Sequence, residues 1–329
     1  MKTAAIIAVL ALSAGVADAQ LERRNEQFYY PGSFNWTFLR EFPEGGRLFN
    51  AFDYGHAILY EMLYTKPGAP VSLLERDRYD FIVNRLLKAP PRLPIAEEVI
   101  EPNYARLAWK AKRVFDWAHM LHRQIYDIYA DDRIKDKDAA IARVIAYYLG
   151  NREYALAPVP KSMHLMDEQY YSQVFREKYP KFNGLIWAYH WLQVGLYEPL
   201  IAGRSPEERR ELVDTALARF HGMLERPPSR MPRVMPMTAT VAPRFAERHP
   251  DAAAIFDNLH MLHDIISDIL ASDKVKDKRA AIYAALAEFQ DPSRNVMTGE
   301  EWREMGAMMG GIEAMGGPVI GDPAPPKRE

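Results

Sequence analysis

The chain repeats itself. FDWAHMLHRQIYDIYADDRIKDKDAAI, residues 115–141, returns as FDNLHMLHDIISDILASDKVKDKRAAI, residues 256–282. In register, Asp116, His119, Met120, His122 and Asp127 meet Asp257, His260, Met261, His263 and Asp268, and one Lys-Asp-Lys turn meets another. A long internal repeat restricts the fold to architectures built from one supersecondary unit used several times. Shared packing alone seldom demands the same two histidines and two aspartates.

Weaker copies fall into line once the strong pair is aligned. FDYGHAILYEMLY carries Asp53 and His56 on the same pattern, and IWAYHWLQVGLYEPL places His190 at the histidine position and Glu198 where Asp127 and Asp268 stand. The reference histidines His56, His119, His190 and His260 are 63, 71 and 70 residues apart. Four tandem units are expected, at about 34–90, 91–151, 157–225 and 226–291, with a terminal helix at 299–309 and a flexible Gly/Met/Pro tail at 310–329.

Each unit reads as a long motif helix followed by a partner helix. Start signals support this: Ser72-Leu-Leu-Glu75 has the form of a capping box, Asp136 precedes the partner helix of the second unit, and Ser205-Pro206-Glu207-Glu208 opens that of the third. The second motif is expected to lie on one helical run from Asn103 to about Ala130, and the third on a helix from about Phe182 to Ile201. No segment alternates apolar and polar residues convincingly, so β-sheet is not expected. The fold class is all-α, with helical hairpins arranged as an α-solenoid or a closed α/α array.

The first 19 residues have one lysine, an apolar run and Ala17-Asp18-Ala19 before Gln20, the form of a signal peptide cut after Ala19. Removing 19 of 329 residues leaves a domain at 20–309 and its tail, with a periplasmic or secreted address. The chain has no cysteine, so no disulfide framework is available and stability must come from its core. A net charge of −2, with both signs interspersed, offers no basic stripe for nucleic acid, and no later stretch is apolar enough for stable membrane insertion.

The chemistry-bearing feature is Asp-x-x-His-x-x-His. On a helix, residues three apart lie about one turn apart and can converge on one point. Carboxylate and imidazole groups projected inward from facing helices are how helical bundles build iron and manganese centres. The expected metal residues are Asp116, His119, His122, Asp257, His260 and His263, with Asp53, His56 and His190 from the weaker copies and Glu61 as a further carboxylate candidate. Oxygen and nitrogen ligands favour iron, manganese or zinc; copper follows if the methionines of 163–166, 231–237 and 305–315 join. The competing structural reading makes these histidines core residues, each satisfied by a neighbouring carboxylate and a backbone carbonyl.

Nucleophilic catalysis has little support, because Gly-x-Ser-x-Gly is absent and there is no cysteine; the absence of His-Glu-x-x-His lowers the case for a zinc peptidase and leaves other zinc hydrolase arrangements open. The leading expectation is an exported metalloprotein; as an enzyme it would be a metal-dependent oxidoreductase. Tyr54, Trp117, Tyr126, Tyr189 and Trp191 would then line a pocket for an apolar or aromatic small molecule. A periplasmic copper carrier or sensor with a methionine-rich delivery arm, and a non-catalytic helical scaffold, are the alternatives.

Overall fold

The computed structural model describes residues 36–302 and 311–321, apart from the side chains of 311 and 312. The expected signal peptide, most of the terminal helix and residues 322–329 lie outside the described residues. The described chain is all-helical, without strands, and has one isolated bridge between Lys161 and Val296. None of its helices is long and apolar enough to cross a membrane.

A short helix, a one-residue break and a longer helix occur in sequence four times. They are α1 (Thr37–Glu41) and α2 (Pro43–Thr65), α3 (Pro102–Leu107) and α4 (Trp109–Ala130), α6 (Val174–Lys178) and α7 (Pro180–Gly195), and α10 (Pro243–Arg248) and α11 (Pro250–Ala271). The break residues have nearly one conformation: φ −131° and ψ 67° at Phe42, −136° and 50° at Ala108, −133° and 58° at Tyr179, −133° and 63° at His249. In three cases the next residue is proline, which disfavours helical dihedrals in the residue before it and tolerates the first helical position. Ala108 has no proline after it and breaks all the same. The expected continuous run from Asn103 to Ala130 is therefore two helices, and Ala108, fully buried, is bent by packing that no local signal announces.

Carboxylates from three long helices and from the short helix that follows α7 hold the amides at the start of the short helices. Asp127 of α4 accepts from the Trp36 and Phe38 amides, both at 2.8 Å, and Glu61 of α2 accepts from Asn103 and Tyr104 at 3.0 and 3.1 Å. Asp268 of α11 accepts from Gln173 and Phe175 at 2.9 and 2.7 Å. Glu198, in α8 (Tyr197–Ala202), accepts from Arg244 at 3.2 Å and Phe245 at 3.4 Å. A negative group at a helix start satisfies free amides and suits the helix dipole. The α1–α2 and α3–α4 segments thus cap each other, as do α6–α8 and α10–α11.

The Lys-Asp-Lys turns have a matching use. Lys137 Nζ donates to the Ile128 and Asp131 carbonyls, and Lys278 Nζ to those of Ile269 and Ser272, closing the ends of α4 and α11. The aspartate between the lysines caps the next helix: Asp136 accepts from Ala139 at the start of α5 (Lys137–Gly150), and Asp277 from Ala280 at the start of α12 (Lys278–Gln290). Ser205 caps α9 (Pro206–Leu224) as its sequence indicates, its hydroxyl accepting from Glu208 at 3.1 Å.

Several expectations need correction. Ser72 makes no capping bond, and Glu75 accepts instead from Lys181 and Phe182 across the fold; residues 73–86 are wound largely as π-helix. The third motif helix stops at Gly195, with Tyr197–Ala202 continuing as a separate helix. Residues 311–321 do not hang free. Met315 and Val319 are buried, the Trp191 indole donates to Gly317 O, and the Val319 amide donates to Val241 O. Met163, Met166, Met231, Met235 and Met237 are buried in the hydrophobic core, where a flexible thioether fills irregular space. Met305, Met308 and Met309 lie outside the described residues.

Candidate metal centre

The four long helices α2, α4, α7 and α11 send six histidines into one interior. His56, His119, His122, His190, His260 and His263 are each at most 3% exposed. Their rings form a continuous group: His190 lies between His260 and His56, at centroid separations of 4.0 and 5.3 Å, and His263 lies 4.3 Å from His56 and 5.6 Å from His119. Residues three and four apart on a helix share a face, so the pairs on α4 and α11 both reach inward.

One nitrogen each from His56, His190 and His263 fall within 4.8 Å of one another. His56 Nε2 is 3.1 Å from His190 Nε2, and that same nitrogen is 3.3 Å from His263 Nδ1. The tautomer of His56 follows from its other nitrogen, because Nδ1 is 2.9 Å from the Phe52 carbonyl, which can only accept; Nδ1 carries the proton and Nε2 a lone pair. His190 Nε2 has one hydrogen at most and two nitrogen neighbours. The separations match the edge of a tetrahedral site, about 3.3 Å for metal–nitrogen bonds of about 2.0–2.1 Å.

The remaining nitrogens are short of partners. Among the described residues, His119 Nε2, His122 Nε2, His190 Nδ1, His263 Nε2 and both nitrogens of His260 are buried without a hydrogen bond. A satisfied core histidine has a partner on each nitrogen, and each orphaned polar atom costs about 1–3 kcal/mol. His56 comes nearest to the satisfied form, with a neighbour at hydrogen-bond distance on each nitrogen, whereas His122 has one partner, the Tyr197 hydroxyl at 2.7 Å from its Nδ1, and stacks its ring on Phe256.

Burial keeps these imidazoles neutral. Desolvation pushes His56 down to about 4 and His260 to about 3, and holds His119, His122, His190 and His263 well below the usual histidine value. Neutral imidazole is the form that binds a metal.

A second group, Asp53, Glu97 and His119, also brings one ligand atom from each residue within 4.8 Å. Asp53 Oδ2 accepts from Arg123 at 2.6 Å, while Oδ1 stands 3.4 Å from His119 Nδ1. The leading aspartates of the two strong copies are placed differently. Asp116 accepts from Lys112 at 2.6 Å and borders the same cleft as Asp53 and Glu97; Asp257 Oδ1 accepts from the Thr238 amide and hydroxyl at 2.8 and 2.7 Å. Neither belongs to a group of three ligand atoms within 4.8 Å among the described residues. Glu61, holding the Asn103 and Tyr104 amides, serves as a cap rather than as a ligand.

Sequence reasoning missed Glu97, Arg123 and Tyr197. Glu97 lies in the proline-bounded connector after the first unit, where no periodicity marks a residue as buried. Arg123 and Tyr197 do lie on the repeated segments, but the four copies do not agree there: Asp264 stands in register with Arg123, and Tyr197 matches Tyr126 but meets Ser267 in the fourth copy. Comparison with protein-family models, curated proteins and solved structures finds no match to this chain.

Proposed function

We propose that this protein is an exported redox metalloprotein whose resident ion is held by His56, His190 and His263, with His119 and His260 beside them. The observation that carries the reading is the His56–His190–His263 triangle: three neutral imidazoles from three helices, at ligand-edge separations and with too few protons for both close contacts at His190 Nε2 to be full hydrogen bonds. An all-imidazole set suits copper, iron or zinc better than manganese, and of these copper and iron change oxidation state. Complete burial argues for a resident ion rather than cargo, since a carrier must exchange its metal with a partner, and it leaves the metal-dependent oxidoreductase as the favoured enzyme class.

The substrate side of the proposal rests on a cleft among α1, α2 and α4 whose walls are mostly apolar (Trp36, Phe38, Leu39, Phe49, Met120 and Tyr126), with Asn50, Arg123, Gln124 and Asp127 also on them. Phe49 packs edge-on against His119 with 5.7 Å between ring centroids, so an apolar group in this cleft would sit one ring away from the histidines; its free volume of about 40 Å³ would have to widen to admit an aromatic molecule. Trp117, Tyr189 and Trp191 pack in the core and are not part of that lining. We also propose that the four short-helix and long-helix segments descend from one unit and form a closed array. The shared break conformation and the two reciprocal capping pairs support this.

A redox titration of the metal-loaded protein tests the function. Reversible oxidation and reduction of the bound ion, lost in His190→Ala, is the expected result. A tightly held, redox-inert ion such as zinc would remove the oxidoreductase reading and leave metal binding standing.

A further inference from the structure

The second group has a different character from the imidazole triangle. Asp53, Glu97 and His119 are 4%, 6% and 3% exposed, yet they border a cleft whose other walls are Pro94, Ile95, Asp116, Met120 and Arg123. A ligand set at the bottom of an opening differs from one sealed in the core. It leaves coordination positions to whatever enters.

The Asp53–His119 geometry separates a metal site from a hydrogen-bonded pair. Asp53 Oδ1 and His119 Nδ1 are 3.4 Å apart, and Oδ1 is buried without a hydrogen bond, so the two do not form the short, aligned contact of a carboxylate orienting an imidazole. The separation is close to the about 3.3 Å edge of a tetrahedral site. His119 Nε2 is also unpartnered and buried.

Charge favours a cation at the same place. Glu97 is surrounded by Asp53, Glu101 and Asp116, with Lys112 as the opposing charge. Lys112 Nζ is already committed to Glu98 at 2.8 Å and Asp116 at 2.6 Å, and Arg123 to Asp53 Oδ2 at 2.6 Å. No basic side chain is bonded to Glu97 or to Asp53 Oδ1 among the described residues. Two carboxylates at ligand distance from each other and from a buried imidazole are stabilised by a divalent ion.

We infer that Asp53, Glu97 and His119 form a second metal site, separate from the imidazole triangle, which takes a borderline-hard divalent first-row ion such as manganese, iron(II) or zinc and keeps open positions toward the cleft. Oxygen-rich ligation selects these ions over copper(I). The matching place on the other half of the chain cannot build such a site. Trp187 stands in register with Asp53, and its indole donates to Asp264 at 2.7 Å.

Cobalt(II) titration of the full chain, with absorption spectra and bound metal counted, tests the inference, because cobalt substitutes for all three ions. Two bound equivalents are expected in the wild type. Glu97→Gln and Asp53→Asn should each retain one, in proteins whose helical circular dichroism is unchanged, and His190→Ala should lose the other. Two equivalents surviving in both Glu97→Gln and Asp53→Asn would overturn the second site, as would a wild type saturating at one equivalent that His190→Ala abolishes. A wild type saturating at one equivalent that Glu97→Gln abolishes and His190→Ala retains would uphold this site and overturn the imidazole centre instead.

Discussion

His119 and His260 hold the same place in the two aligned segments, one on α4 and one on α11, and their surroundings differ. His119 faces Asp53, with Arg123 and Glu97 behind it; on the other half the corresponding partners are Trp187 and Asp264, bonded to each other, and His260 has no partner on either nitrogen. The capping aspartates are alike, since Asp127 and Asp268 each hold two amides at the start of a short helix. The halves therefore share a frame and a set of inward histidines but not the carboxylates around them. The grouping of two carboxylates with a histidine, Asp53, Glu97 and His119, is found on one half among the described residues.

The largest effect expected is on metal retention. His190 is the nitrogen source common to both close contacts in the triangle, so His190→Ala should weaken binding by at least about 100-fold, more than the loss of an outer partner, measured as bound metal after dialysis. His122→Ala, which removes a ring outside that triangle, should retain the ion. Equal losses in the two variants would dissolve the distinction between triangle and surround.

Acid should act next, through both halves together. The folded-state values of His56 and His260 are depressed to about 4 and about 3, so the unfolded chain binds more protons below about pH 6.5. Their contribution is complete above about pH 6.5 and is lost as pH falls through the folded values; His56 alone accounts for roughly 3 kcal/mol, at about 1.4 kcal/mol per pH unit. Asp127 and Asp257, pushed up to about 7 by burial, run the other way, their contribution being lost as pH rises through that value. Denaturant unfolding of the metal-free protein against His56→Leu isolates the histidine share. The variant should lose less stability between pH 6.5 and 4, and parallel curves would contradict the assignment.

The caps test what the halves have in common. Asp127→Ala and Asp268→Ala each orphan two backbone amides and should each cost about 1–3 kcal/mol in urea unfolding, with similar values and unchanged metal content. A large difference between them would show that the frame, too, differs.

The smallest effect has the most diagnostic sign. With no partner on either nitrogen, His260 is a burden on the metal-free protein, so His260→Leu should leave the metal-free stability within about 1 kcal/mol of wild type or raise it. A loss of 2 kcal/mol or more would mean that the ring has structural partners.

The histidines of the site were legible because the repeat spaced them. Each stands at one of two positions of a helical pattern, and the same pattern marked the Lys-Asp-Lys turns with the Asp136 cap, while Ser205 was marked by its local capping signature. The roles of Asp116 and Asp257 were not legible, since a conserved letter at the head of the motif says nothing about Lys112 one turn earlier or Thr238 on another element. Glu97 escaped because it is brought to the site by a connector, where burial depends on the path of the chain rather than on a period. The break at Ala108 escaped because packing, and not proline, imposes it.

Metal analysis of the purified protein, beside the His56→Ala/His190→Ala double variant, addresses the central claim most directly. The account predicts stoichiometric metal in the wild type and the loss of the triangle's share in a variant that keeps its helical circular dichroism. Wild-type protein that is folded, metal-free and unable to take up copper, iron, manganese or zinc would contradict it.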